Sequence, residues 1–287
     1  MTRRPVLSAL AATCLLSSSL HSSQRFSSST LAVRVDVLVT DGGRAVGGLT
    51  AADFELRDNG VLQRLEVVDG ADVPINAVLA LDTSVSTTGK RHTALIAAGE
   101  AILDRLKPTD RAALTTFSHA AVPRMPLTSD TAAVRTSLRS MNPLGETAVM
   151  DGAFVALTST LGQPGRSLVL VCTDGYDTWS WLTPDEVLES ARRTNVVVYA
   201  VTSSDARRDD GLTMLTDATG GHVIRVKSST ELASAFQKIL EDFRNRYLLA
   251  YNPSGVQPDG FHRLDVRVRR AGATVRARPG YTGLPAR

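Results

Sequence analysis

Ile75-Asn76-Ala77-Val78-Leu79-Ala80-Leu81-Asp82-Thr83-Ser84-Val85-Ser86 carries the reading of the whole chain. Residues 75–81 are apolar apart from Asn76, which predicts a strand buried on both faces of a parallel sheet. The run stops abruptly at a carboxylate, with hydroxyls two and four positions later. In an open α/β sheet, ligands bind in the crevice outside the carboxyl ends of the strands, so function is expected here. Asp82, Ser84 and Ser86 are hard oxygen donors, which suit Mg²⁺ or Mn²⁺ rather than zinc or copper.

Downstream of this stretch the periodicity alternates between strand and helix. Residues 89–106 place Leu95, Ile96, Gly99, Ile102, Leu103 and Leu106 at helical spacing. Residues 111–117 predict a second buried strand, and 120–127 a third, antiparallel to it through a Ser118-His119 turn. A helix over 129–141 turns Val134 and Leu138 inward, and 142–147 is a loop. A helix over 148–161 leads to a strand at 167–173. Thr183-Pro184-Asp185-Glu186 is a helix start, with an N-cap, a proline at the first position and a glutamate at the third, and this helix runs to 194. Then follow a strand at 195–202, a short helix at 212–219, a strand at 222–226 and a long amphipathic helix at 229–245. This pattern predicts a doubly wound, mostly parallel six-stranded sheet with helices on both faces.

The two ends of the chain read differently. Residues 31–40 alternate, with Leu31, Val33, Val35, Val37 and Val39 on one face and Arg34 and Asp36 on the other, as in a half-buried strand. Residues 54–61 and 65–68 predict two more strands around an Asn59-Gly60 hairpin turn. Residues 247–251, 264–269 and 274–278 are also strand-like. Three short strands need a second layer, so one small β-module built from both ends is expected.

Residues 1–24 have the form of a secretory signal: Met1-Thr2-Arg3-Arg4 is a positive start, 5–16 an apolar stretch, and a Ser-rich tract follows. Arg3-Arg4 also hints at twin-arginine export. The predicted organisation is signal 1–24, N-terminal β segment 25–71, central domain 72–245 and C-terminal β segment 246–287. The apolar stretch is too short to span a membrane. The predicted location is therefore exported, whether periplasmic, cell-surface or extracellular. With 32 basic and 29 acidic residues and a net charge of +3, basicity is mild and interspersed, which argues against nucleic acid as the partner. Cys14 lies within the signal, and Cys172, inside an apolar run, is expected to be a buried thiol.

Two further oxygen donors fall on the same edge of the predicted sheet: Thr147, just before a helix, and Asp174, just after a buried strand. With D-x-S-x-S at Asp82, Ser84 and Ser86, these spaced motifs resemble the von Willebrand factor type A domain and its metal-ion-dependent adhesion site. The strand at 31–40, Asp53-Phe54 and the Arg-rich hairpin ending Arg278-Pro279-Gly280-Tyr281 also resemble a bacterial group of secreted proteins carrying such domains. The resemblance implies Mg²⁺, or Mn²⁺, held by the hydroxyls of Ser84, Ser86 and Thr147, with Asp82 and Asp174 acting largely through water. It implies a partner protein whose Asp or Glu carboxylate completes the shell, and a binding module rather than an enzyme. Val85 and Thr87 depart from the small residues common in that loop, but neither position supplies a ligand side chain.

Other readings of the same residues stay open at this level. Each of the five is also a helix-capping or turn-forming type. Asp82 and Asp174 are the candidate groups for a Mg²⁺-dependent hydrolase or transferase, and a metal serving stability alone is a third reading. Asp82-Thr83-Ser84 matches an aspartic-protease signature, but no second such carboxylate motif exists. No phosphate-binding loop, no G-x-S-x-G and no regular His spacing is present. Asp174 and Asp177 form a D-x-x-D pair read as a solvated loop. Trp179 and Trp181, the only tryptophans, fall in the loop after Asp174, where they are either partner-binding anchors or a cover for the next helix.

Overall fold

Valines at alternate positions from Val33 to Val39 make the first described strand, β1 (Val33–Asp41), followed by β2 (Arg44–Ala45), β3 (Phe54–Asp58), β4 (Val61–Leu62) and β5 (Glu66–Asp69). The computed structural model describes residues 32–70, 73–205 and 210–283; the signal predicted at 1–24 lies outside them. The chain returns to this region as β12 (Tyr247–Tyr251), β13 (Gly260–Val268), β14 (Thr274–Arg276) and β15 (Gly280–Gly283), once the elements between have been built.

Both ends do meet, but in two antiparallel sheets rather than one. The first runs β14-β1-β12-β5 and the second β15-β13-β3-β4. Val35, Val37, Phe54, Leu56, Leu249, Tyr251 and Leu264 fill the space between them. The Asn59-Gly60 turn forms as predicted, with both residues at positive φ (46° and 84°) as a tight hairpin requires. It joins β3 to the two-residue β4 only; the expected second strand, β5, instead pairs with β12 in the other sheet. Strand β15 was not anticipated. Gly280 explains it, since any side chain there would strike the Phe261 ring and the His262 carbonyl.

β1 also departs from its predicted half-buried form. Its five central residues are all buried, Asp36 included. Asp36 faces Arg166, whose Nε–H donates to Asp36 Oδ1 at 2.6 Å, while the same guanidinium donates to the carbonyls of Gly70 (2.9 Å) and Phe243 (2.8 Å). A partner that far along the chain converts an apparent solvent face into a second interface.

The central layer follows the predicted order: β6 (Ile75–Asp82), α1 (Lys90–Leu103), β7 (Arg111–Phe117), β8 (Ala121–Thr128), α2 (Thr131–Arg139), α3 (Val149–Thr158), β9 (Arg166–Thr173), α4 (Pro184–Arg192), β10 (Val197–Ser203), α5 (Asp210–Ala218), β11 (Val223–Val226) and α6 (Leu232–Arg244). The sheet order is β11-β10-β9-β6-β7-β8, parallel except for β8. All eight residues of β6 are buried. Leu79 and Leu81 point to the face packed by Leu95, Ile102, Leu138, Phe236 and Ile239, while Val78 and Ala80 point to the face packed by Met150, Leu157, Val187 and Leu212. Each such aliphatic or aromatic side chain contributes about 1.5–3 kcal/mol of burial free energy. Gly152 permits α3 to rest on the Phe117 ring, which leaves no room for a Cβ. Helix α4 starts as expected, with Thr183 and Glu186 capping each other, and ends at Arg192, two residues earlier than its predicted limit.

Candidate functional site

The chain leaves β6 to build β7 and β8 on one side, then crosses back to build β9 on the other. The switch point therefore lies between β6 and β9, whose carboxyl ends are Asp82 and Thr173. Asp82 is fully buried. Its Oδ1 accepts the Ser84 backbone N–H at 2.8 Å and its Oδ2 accepts the Thr173 hydroxyl at 2.6 Å. Thr173 was read only as a strand residue; standing directly before Asp174, it ties the two loops together.

The remaining donors continue from there. Ser84 Oγ lies 2.9 Å from Ser86 Oγ, and the Ser86 hydroxyl donates to Asp174 Oδ1 at 2.7 Å. Arg91, in the first turn of α1, donates to Asp174 Oδ2 at 2.6 Å. Thr147 is brought in by loop pairing: Leu144 N–H donates to Thr83 O at 2.7 Å and Val85 N–H to Gly145 O at 3.1 Å. Gly145 makes that approach possible, with a φ of +78° and the His119 ring where a side chain would lie. Thr147 itself is buried, its carbonyl accepting the N–H groups of Thr178 and Trp179. The structure thus joins Asp82, Ser84, Ser86 and Asp174 in one hydrogen-bonded chain, with Thr147 on the loop bonded alongside.

Burial pushes the Asp82 carboxyl above the usual carboxylate range, opposed by the hydrogen bonds from Thr173 and Ser84 and reinforced by the charge of Asp174. The Cys172 thiol beneath it, free and buried, is pushed up by the same desolvation. A carboxyl whose folded pKa is raised favours folding only below its unfolded pKa, and that contribution is lost as pH rises through the folded value. At neutral pH the ionised Asp82 therefore costs stability. In EDTA the parent is expected to lose stability relative to Asp82→Asn as pH rises out of the carboxylate range. A melt series from pH 4 to 8 on both proteins checks this, and parallel curves would contradict it.

A family model of the von Willebrand factor type A domain matches residues 76–238, more than half of the chain. The chain belongs to the von Willebrand factor type A family. No curated protein sequence matches it. Among solved structures, the von Willebrand factor type A protein from Catenulispora acidiphila is similar at 14% identity and a TM-score of 0.55, over 80% of this chain and 73% of that one. Proximal thread matrix protein 1 of the mussel byssus is 17% identical with a TM-score of 0.56, over 64% of this chain and 49% of that one. The chain thus spans about half the length of the mussel protein. A second structure of that mussel protein, with a zinc-occupied adhesion-site motif, aligns with a TM-score of 0.55 at 17% identity, over 66% of this chain and 50% of that one. At these identities the likeness shows the fold.

In this type A domain the loops that carry the oxygen donors also carry exposed apolar side chains. Val85 (57% exposed) follows Ser84, Leu144 (62%) precedes Thr147, and Trp179 (54%) and Trp181 (88%) follow Asp174. Both tryptophans are therefore exposed on this edge, Trp181 almost wholly so. Asp177 is not a solvated loop residue either. Its carboxylate accepts the backbone N–H groups of Trp179, Ser180 and Met150, pinning the loop to the start of α3. Asp151 accepts the N–H groups of Trp181 and Leu182 in the same way. Both indole rings thus stand on a backbone that is held in place.

The donors joined in that hydrogen-bonded chain, two carboxylates and the Ser84 and Ser86 hydroxyls, are oxygen-only. They fit a small, hard divalent cation. Asp82 is poorly placed as a general acid or base, because it is buried and both its oxygens are engaged.

Proposed function

We propose that this is an exported, non-enzymatic protein-binding module that holds Mg²⁺ or Mn²⁺ at the sheet edge and captures a carboxylate of a partner protein. The observation that carries this reading is the hydrogen-bonded line Asp82, Thr173, Ser84, Ser86 and Asp174 at the topological switch point. The hydroxyls of Ser84, Ser86 and Thr147 would hold the cation, with Asp82 and Asp174 orienting its waters. A bound cation supplies a Lewis-acidic position for an Asp or Glu side chain. Trp179, Trp181, Val85 and Leu144 supply the apolar surround, since aromatic anchors beside a polar contact carry much of the energy at protein interfaces. The zinc-occupied motif of the mussel protein supports a divalent cation at this edge, while the choice of Mg²⁺ or Mn²⁺ rests on the hard oxygen donors of this chain. The export assignment rests on residues 1–24, and among the described residues no helix is long and apolar enough to cross a membrane. The segments 25–71 and 246–287 are proposed as a base for the domain at 72–245.

Thermal unfolding of the whole chain in EDTA, and then with Mg²⁺ or Mn²⁺, tests the site. At about a hundred times its dissociation constant, a cation bound only by the folded protein adds roughly 2.7 kcal/mol. That gain should vanish in Asp82→Ala and Thr147→Ala. An unchanged melt in millimolar metal would leave these residues as turn formers and remove the binding proposal.

A further inference from the structure

Arg91 stands where a cation gains nothing from its helix. The N-terminal end of a helix carries partial positive charge and favours carboxylates, yet α1 opens Lys90-Arg91 with no acidic residue in its first turn and only Gly89 as its cap. What Arg91 does have is Asp174. Its guanidinium donates to Asp174 Oδ2 at 2.6 Å and lies 3.5 Å from the Ser86 carbonyl. Asp174 Oδ1 is taken by the Ser86 hydroxyl, so both oxygens of this carboxylate are engaged.

A divalent cation held by the Ser84 and Ser86 hydroxyls, with Asp174 orienting its waters, needs the same carboxylate edge, and its charge opposes the guanidinium. We propose that Arg91 competes with the cation for Asp174 and so sets how tightly the site holds its metal. This rests on the metal reading given above. The pair is built for exchange: the Asp174 side chain is 13% exposed and firmly placed, whereas that of Arg91 is 55% exposed and can swing aside without movement of α1. Room exists beside it, in a cavity of about 120 Å³ lined by Arg91, Asp174, Ser203, Asp205 and Ser228. The Asp205 carboxylate there offers the released guanidinium an alternative partner. Metal uptake would then coincide with a change in where the positive charge of Arg91 is presented on the binding edge.

Isothermal titration of Mg²⁺ and Mn²⁺ into the full chain tests the competition. Arg91→Ala and Arg91→Gln are expected to bind the metal about tenfold more tightly than the parent at low ionic strength, because an exposed ion pair no longer has to be broken and a like charge is gone. The gain should shrink in 0.5 M salt. Lys90→Ala makes the same charge change one residue earlier without touching Asp174, and it should move the affinity by no more than about twofold. Parent-like or weaker binding by both Arg91 variants would overturn the competition while leaving the metal site intact, as would an equal gain from Lys90→Ala. No binding by the parent would overturn the metal reading and the competition together.

Discussion

Arg166→Met is expected to cost about 3–5 kcal/mol, since it removes the partner of a buried carboxylate and leaves the charge behind. The Arg166 and Asp36 side chains are 1% and 5% exposed. Methionine nearly preserves the volume and keeps a soft contact with the Phe243 ring, over which the guanidinium now sits at 4.4 Å. What is lost is the ion pair itself, together with two bonds to the carbonyls of Gly70 and Phe243. Those carbonyls lie where the chain enters and leaves the central domain, so the damage falls on its attachment to the paired sheets. The double variant Asp36→Leu/Arg166→Met, which removes both charges, is expected to recover most of the loss. Urea unfolding of the parent and the variants gives the comparison. A double variant as unstable as Arg166→Met would mean that the two carbonyl bonds, rather than the ion pair, carry the energy.

A comparable loss, again about 3 kcal/mol or more, is expected for Asp58→Ala. Asp58 is fully buried between the paired sheets. Its Oδ2 accepts the hydroxyls of Tyr251 (2.8 Å) and Tyr281 (3.1 Å), and its Oδ1 lies 2.8 Å from His262 Nδ1. Alanine would leave His262 and at least one of the two neighbouring tyrosine hydroxyls without an acceptor, and each unsatisfied buried polar group costs about 1–3 kcal/mol. The cluster also has an alkaline signature. Burial pushes the Tyr281 hydroxyl up to about 12 and drives Tyr251 upward in the same direction by the same cause. An unfolded tyrosine ionises near 10, so the unfolded chain releases these protons first and stability falls between about pH 10 and pH 12. Tyr281→Phe should be less stable than the parent at pH 8 and show a shallower fall above pH 10. A parallel fall in both proteins would mean that Tyr281 is not the group responsible.

The central sheet was legible because its inner strands are buried on both faces and its helices on one, two periods that do not resemble each other. The paired sheets were harder. Alternation in β1 marks Asp36 as outward, and nothing local reveals that Arg166, 130 residues away, covers it. Likewise Asn59-Gly60 announces a turn but does not say how far its strands continue; β4 stops after two residues. At the site, D-x-S-x-S and Asp174 stand out as candidates because oxygen donors at strand ends are informative where the topology reverses, and Thr147 as a hydroxyl in a loop on the same edge. Arg91 and Thr173 were missed. A basic residue early in a helix looks like ordinary solvated charge, and only its conflict with the helix dipole singles it out. Thr173 completes an apolar strand and is chemically indistinguishable from a β-former until its hydroxyl is seen on Asp82.

The pairing of β1 with β12 also sets a timetable. Tyr247, whose hydroxyl donates to the Val46 carbonyl, is 201 residues further along the chain. At about 5–20 residues per second, synthesis of that interval takes roughly 10–40 s. Throughout that time β1 and β3 must wait with their β12 and β13 edges open. An early strand held unpaired is the kind of segment that seeks other strands, so this chain's exposure to misassembly is greatest before β12 and β13 emerge and ends when they pair with β1 and β3.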